Sequence, residues 1–233
     1  MASLPPLSEE AMSFYRTTSS SLVTDGLYRF GLGAWMDDVH PVNPTWRLAG
    51  RVRTMQLAPK SGMKHSGHSI YTAAEQLTPG DVLIIATTGG RGWLMGENIA
   101  HFCMYRGLAG VVTDGRIRDV LELRDLDFPV FARGATARPF HTELDVIDVD
   151  TAVQCAGAYL RPGDLIVGDA DGIVVAPYEI ADVLIPEVAE IIELEREQEI
   201  LIRERAPLAA IQDVSRRKKL RKGPAFDAIA RRS

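Results

Sequence analysis

The chain has 233 residues, 46% of them apolar and 24% charged, with a net charge of −5. That is the make-up of an ordinary globular protein, long enough to bury a core without staples, and it excludes collagen-like, disordered and supercharged chains. The two cysteines, Cys103 and Cys155, stand far apart in apolar surroundings, which argues against a disulfide scaffold or a cysteine zinc cluster and fits a reducing cytoplasm.

In chain order, residues 8–30 read as two short helices, with Leu22, Val23, Leu27 and Phe30 on an apolar face. LAGRVRTMQL (48–57) alternates as a strand with one wet face does, and SIYTAAEQL (69–77) reads as a helix stopped by Thr78-Pro79-Gly80. DVLIIAT (81–87) is a near-continuous apolar run, the pattern of a strand buried on both faces. The glycine-rich TTGGRGWLMG (87–96) leads into the helix ENIAHFCMYRG (97–107), closed by Gly107. AGVVTDG (109–115) is a second buried strand, IRDVLELRDL (117–126) starts a short helix, and FPVFARG (128–134) is a strand.

Residues 142–176 are β by pattern and end in a hairpin about Asp171-Gly172. After Pro177 a long amphipathic helix runs to about Arg205, its stripe carried by Val183, Leu184, Val188, Ile191, Ile192, Ile200 and Leu201. Pro-Gly-Asp precedes an apolar strand twice, at 79–81 and 162–164. The Pro-Gly pair suits a type II turn, with glycine supplying the positive φ. Helices mixed with buried and half-wet strands predict an α/β or α+β layering, with residues 1–206 as the body and 207–233 as a separable basic extension. No apolar run reaches the ~18 residues of a membrane helix, and MASLPPLSEEAM lacks the features of a secretory signal, so a cytoplasmic chain is expected.

Charge is unevenly spread. From Arg196 to Ser233 there are eleven Lys/Arg against five Asp/Glu, a basic tail on an acidic body. RRKKLRKG (216–223) has no interleaved aromatic residue on which a base could stack. It reads as a solvated or subunit-bridging segment, not a nucleic-acid site.

Chemistry concentrates in residues 87–119. Four glycines (Gly89, Gly90, Gly92, Gly96) allow close backbone approach, and the helix starting near Glu97 offers its unpaired first-turn N–H groups to an anion. The loop lacks the P-loop ending and the dinucleotide G-x-G-x-x-G, so a small carboxylate is the expected ligand. VVTDGRIRD (111–119) presents Arg116, Arg118 and Asp119 at the carboxyl end of a buried strand, where open α/β sheets hold ligands. Arg118 offers a planar fork to a carboxylate or enolate oxygen, and Asp119 a hard oxygen to Mg2+. A surface ion pair or a helix-start cap accounts for the same two residues equally well.

GENIAHFCMYRGLAGVVTDGRIRDVLELRDLDFPVFARG (96–134), followed by PGDLIVGDADGIVVAP (162–177), resembles the RraA-like family, and the similarity runs from about Ser19 to about Glu199. That family includes the 4-hydroxy-4-methyl-2-oxoglutarate / 4-carboxy-4-hydroxy-2-oxoadipate aldolases and the ribonuclease E activity regulators. The resemblance implies a β/β/α swivelling domain that assembles as a homotrimer or homohexamer with sites at subunit boundaries. It also implies an acidic residue, twenty residues, then Arg-Asp, which Glu97, Arg118 and Asp119 satisfy. On that pattern Asp119 ligates Mg2+ (or Mn2+), Glu97 reaches the metal through water, and Arg118 contacts the keto oxygen of a 2-oxo acid. The backbone N–H groups of Gly96, Glu97, Asn98 and Ile99 hold its carboxylate. The aldolases usually carry Asp where this chain has Glu97. A neighbouring subunit is expected to supply an acid from Glu193, Glu195, Glu197 or Glu199.

The expected function is therefore a Mg2+-dependent carbon–carbon lyase that releases pyruvate from a 4-hydroxy-2-oxo acid, with or without oxaloacetate decarboxylase activity. The alternative is a regulator that binds ribonuclease E or another protein and does no chemistry. No lysine lies in the two motifs, which argues against a Schiff-base aldolase, with Lys60 and Lys64 upstream as the residual candidates. His65 and His68 read as polar surface, with a place in the lining of the substrate pocket beside Lys64 as the other reading, His101 as a packed or interface residue, and Asp164, Asp169 and Asp171 as turn residues. Trp93 reads as a cover to the site, an exposed aromatic or a subunit contact.

Overall fold

The computed structural model describes residues 7–60, 67–141 and 143–220. The chain divides into two compact units, one of Ala34–Val175 and one made from its two ends. His65 and Lys64 lie outside the described residues.

The terminal unit begins with α1 (Glu9–Thr17) and α2 (Ser20–Arg29), the two helices expected over 8–30. Each starts at a serine whose hydroxyl takes an otherwise unpaired first-turn N–H, Ser8 from Ala11 (3.1 Å) and Ser19 from Leu22 (3.3 Å).

The body opens with β1 (Trp35–Met36), β2 (His40–Pro41) and the long β3 (Leu48–Pro59). There follow α3 (Ile70–Glu75), β4 (Asp81–Thr87), β5 (Trp93–Met95), α4 (Glu97–Tyr105), β6 (Gly110–Thr113), β7 (Arg116–Ile117), α5 (Val120–Asp125) and β8 (Val130–Ala132). Five strands complete it: β9 (Leu144–Val149), β10 (Val153–Cys155), β11 (Ala158–Leu160), β12 (Leu165–Asp169) and β13 (Gly172–Ala176). The main sheet runs β1-β13-β12-β3-β4-β6-β8-β2, with β9 also paired to β3. Its centre, β3-β4-β6-β8, is parallel.

Period-two alternation sends the side chains of β4 to opposite faces. Leu83 and Ile85 meet Ala73, Ala100, Cys103 and Leu123 from the helices, while Val82, Ile84 and Ala86 meet Val153, Cys155 and Leu160 from the β10–β11 pair. The layers are thus a small β pair, the sheet, and helices, a mixed α/β arrangement of the β/β/α kind. Both cysteines are free and buried, and burial pushes the Cys103 thiol up to about 12.

The two Pro-Gly-Asp turns form as expected. Gly80 (φ +85°) and Gly163 (φ +99°) supply the left-handed third position, and Asp81 N and Asp164 N each close on a carbonyl three residues back, at 3.1 Å. The aspartates also fasten their own turns. Asp81 accepts from Thr78 N and Oγ1, both at 2.9 Å, and Asp164 from Arg161 N at 2.8 Å. Asp81 further takes Arg51 (2.9 Å) and Arg53 (3.2 Å), and Arg53 is held by Asp150 as well (2.6 and 2.7 Å). These ion pairs close the face of β3 that the alternation marks as wet. The later hairpin turns one residue earlier than expected, on Ala170-Asp171, because β13 already begins at Gly172.

After a 3₁₀ turn at Tyr178–Ile180, the terminal unit continues with α6 (Ala181–Arg203) and α7 (Leu208–Lys218). Leu184, Val188, Ile191 and Leu194 are its buried stripe. Val183 and Ile200 are exposed, each lying off that three- and four-residue spacing. Arg29 is fully buried between these helices. Its guanidinium donates to Glu187 (2.8 Å) and Glu190 (2.9 Å) on α6, and to the carbonyls of Lys218 (3.0 Å) and Arg217 (3.3 Å) at the end of α7. Beside it, a Cβ on Gly26 would fall 2.7 Å from Val188, so glycine sets how closely α2 approaches α6.

Candidate active site

The site residues converge where α4 begins. Gly96 is extended at the N-cap of α4, and α4 therefore opens without a side-chain cap of its own. The cap comes from elsewhere in the sequence: the Glu97 N–H donates to Asp119 Oδ2 at 3.1 Å. An anion at this end is stabilised by the helix dipole as well as the hydrogen bond. Arg118 Nε lies 3.3 Å from the same Oδ2. A Cβ on Gly96 would sit 2.2 Å from Asp119 Oδ2 and 2.9 Å from Arg118 Cγ, so only glycine lets the Arg-Asp pair close on the helix.

The pair is aimed by its backbone. Arg118 N donates to Met95 O (3.0 Å) and Ile117 N to Gly134 O (2.9 Å), which locks β7 between β5 and the loop after β8. Asp119 then turns left-handed (φ 59°, ψ 46°), a conformation aspartate tolerates at modest cost, and α5 starts from it. Behind this corner, Asp114 accepts from Thr87 N (2.8 Å) and Ala156 N (3.4 Å), tying the ends of β4 and β6. Burial pushes the Asp114 carboxyl above its ordinary range, against the pull of those N–H groups and Arg133.

Trp93 has a definite place. The Arg118 guanidinium lies over its indole, 4.0 Å from the ring centroid, within cation–π reach. The indole is buttressed edge-on by Phe140 (5.9 Å) and His141 (6.2 Å). Arg118 is thereby held on one side by Trp93 and on another by Asp119, yet its side chain remains 44% exposed and that of Asp119 33%. Glu97 (41% exposed) lies one turn before His101, with Oε1 3.4 Å from His101 Nε2.

Glu97, Arg118 and Asp119 are thus brought together, with Gly96 between them. The Glu97 N–H, expected to hold a substrate carboxylate, is engaged by Asp119; Asn98 and Ile99 contribute the first-turn N–H groups that precede the first intrahelical bond, Ala100 N to Gly96 O (3.2 Å). Three loop glycines have other duties. Gly89 supplies a left-handed turn (φ +107°), Gly90 clears Leu144, and Gly92 clears the Phe140 backbone. The Glu-rich run is paired within its own chain: Glu193 with Arg196, Glu195 with Lys218, Glu197 with Arg217 (2.6 Å) and Glu199 with Arg203. Arg216 pairs with Asp213 (2.6 Å), so Arg216, Arg217 and Lys218 are each neutralised locally.

Among the described residues no group of three or more His, Cys, Asp or Glu side chains gathers to enclose a metal, and no helix is long and apolar enough to cross a membrane. The donors on offer are the part-exposed carboxylate of Asp119 at this corner and that of Glu97 on the first residue of α4. They suit a hard, largely hydrated divalent ion held by one or two carboxylates.

Compared with known proteins, residues 20–175 match the RraA-like family, described as Aldolase/RraA. A protein of Halalkalibacterium halodurans, provisionally named a 4-hydroxy-4-methyl-2-oxoglutarate aldolase, is 32% identical over 164 residues, covering 70% of this chain and 74% of its own. The 4-hydroxy-4-methyl-2-oxoglutarate aldolase of Thermus thermophilus is 31% identical over 132 residues, covering 56% of this chain and 76% of its own. Among solved structures, Streptomyces coelicolor RraAS2, an unusual member of the RNase ES inhibitor RraA protein family, has a TM-score of 0.76 at 26% identity. That likeness covers 84% of this chain and 99% of the other. An uncharacterized Pseudomonas syringae protein shares the fold with a TM-score of 0.80 at 22% identity, covering 91% and 99%.

Proposed function

The chain belongs to the RraA-like family of Aldolase/RraA proteins, and on that premise we propose that it is a divalent-metal-dependent carbon–carbon lyase releasing pyruvate from a 4-hydroxy-2-oxo acid. The observation that carries the reading is the corner where Gly96 lets Arg118 and Asp119 close on the start of α4. Relatives named for 4-hydroxy-4-methyl-2-oxoglutarate give the substrate to test first.

Asp119 would hold Mg2+ or Mn2+ through Oδ1, since Oδ2 is spent on Glu97 N and Arg118, and Glu97 would reach it through water. When bound, the ion supplies a Lewis acid for the negative charge that builds on the 2-oxo group. Arg118, oriented by Trp93, donates a charge-assisted hydrogen bond to the same oxygen. The N–H groups of Asn98 and Ile99 bind the adjacent carboxylate at the positive end of α4. As the C3–C4 bond breaks, the 4-hydroxyl proton leaves to a water positioned by the Glu97 carboxylate and its oxygen becomes a carbonyl. The bonding pair passes to C3, which takes a proton to give pyruvate. Neither motif contains a lysine whose amine could form a Schiff base. We include assembly as a homotrimer or homohexamer in the proposal, to be read by light scattering.

The test is pyruvate release from 4-hydroxy-4-methyl-2-oxoglutarate and from oxaloacetate, with Mg2+ or Mn2+ and with chelator. Turnover should vanish with chelator and return with metal, and Arg118→Ala should lose at least about a hundredfold while staying folded. Turnover indifferent to chelator and to Arg118→Ala overturns the mechanism. No release from any 4-hydroxy-2-oxo acid overturns the lyase reading and leaves the protein-binding role of a ribonuclease regulator.

A further inference from the structure

His101 takes no part in the chemistry above, yet its surroundings single it out. It lies one turn beyond Glu97 on α4, with Nε2 3.4 Å from Glu97 Oε1. Its ring stacks on Tyr105, with centroids 5.7 Å apart and planes 13° from parallel. On the other side Nδ1 is buried and makes no hydrogen bond.

A neutral imidazole carries its proton on one nitrogen only. Placed on Nδ1, that proton would be a buried donor with no acceptor. Left bare, Nδ1 buries an unsatisfied acceptor, which folded proteins tolerate more readily. The proton therefore belongs on Nε2, facing the carboxylate. We propose that His101 is a positioning residue: it donates from Nε2 to Glu97 Oε1, fixes the Glu97 rotamer, and leaves Oε2 as the oxygen that serves the site.

This inference rests on the lyase reading for its kinetic consequence but not for its geometry. The i, i+4 spacing and the length of glutamate make the contact together. Shortening Glu97 by one methylene withdraws the carboxylate from the ring. A glutamine at 101 restores an N–H donor near the position of Nε2, whereas an asparagine offers one only near that of Nδ1.

Two measurements on the full-length chain test it. Long-range 1H–15N spectra of the imidazoles should show His101 as the Nε2–H tautomer, with its Nε2 resonance moved by Glu97→Ala; the opposite tautomer, or no response, overturns the pairing whether or not the protein is a lyase. In pyruvate release from 4-hydroxy-4-methyl-2-oxoglutarate, His101→Leu and His101→Asn should lower kcat about tenfold to a hundredfold with KM little changed, the scale of a misplaced catalytic group. His101→Gln should recover most of the loss, and His101→Leu should add nothing in a Glu97→Asp background. Equal losses in the Leu and Gln variants, or additive losses with Glu97→Asp, would show a merely structural histidine. If the tautomer and its response hold but the wild type releases no pyruvate, the lyase reading fails and the pairing stands.

Discussion

Two kinds of aspartate do contrasting work in the body of this protein. At the Pro-Gly-Asp turns, Asp81 and Asp164 are buried, and their oxygens are consumed by turn N–H groups and by Arg51, Arg53 and Arg161. At the start of α4, Asp119 also caps a backbone N–H, but with one oxygen, from a left-handed backbone, at a half-open corner. A carboxylate whose partners are all supplied by the fold stabilises it. One that keeps an oxygen in reserve can take a ligand.

The sharpest way to break this contrast is to remove both charges at constant shape. Asp119→Asn should cost about a thousandfold in turnover, ~4 kcal/mol of transition-state stabilisation, while denaturant unfolding shifts by less than about 1 kcal/mol. Asp81→Asn should do the reverse, removing ~3 kcal/mol from unfolding by breaking the buried carboxylate's pairs with Arg51 and Arg53 and its grip on the Thr78 turn. Comparable destabilisation in the two variants would erase the distinction. Gly96→Ala sharpens the same point from the backbone side. Its methyl group would force the Arg-Asp pair off the helix, and a displacement near 1 Å should lower kcat/KM about a hundredfold, with the fold retained by circular dichroism. The smallest effect is expected at the indole. Trp93→Leu removes a cation–π contact worth ~1 kcal/mol, so kcat/KM should fall about fivefold, and Trp93→Phe should restore part of it.

Much of this was legible in the sequence where the cause is local. The Pro-Gly-Asp turns follow from proline, glycine and aspartate acting within four residues, and the buried strands from unbroken apolar runs. The convergence of Glu97 with Arg118-Asp119 was legible through the family pattern rather than from spacing, because the neighbours on α4 and β7 are set by the sheet. The loop glycines could not be sorted in advance. The reasons for Gly90 and Gly92 lie at Leu144 and Phe140, some fifty positions on, and glycine looks the same whether it admits a ligand or another segment of chain. The hydration of β3 was overestimated for a similar reason: the carboxylates that close over Arg51 and Arg53 come from positions 81 and 150.

The buried guanidinium of Arg29 bears on how the chain is made. Its acceptors are Glu187, Glu190 and the carbonyls of residues 217 and 218, so the last partner of the cation is synthesised 189 residues after it. The contiguous Ala34–Val175 unit can complete its hydrogen bonding while translation continues. The carbonyls that complete the shell of Arg29 can be engaged only once the final turn of α7 has left the ribosome.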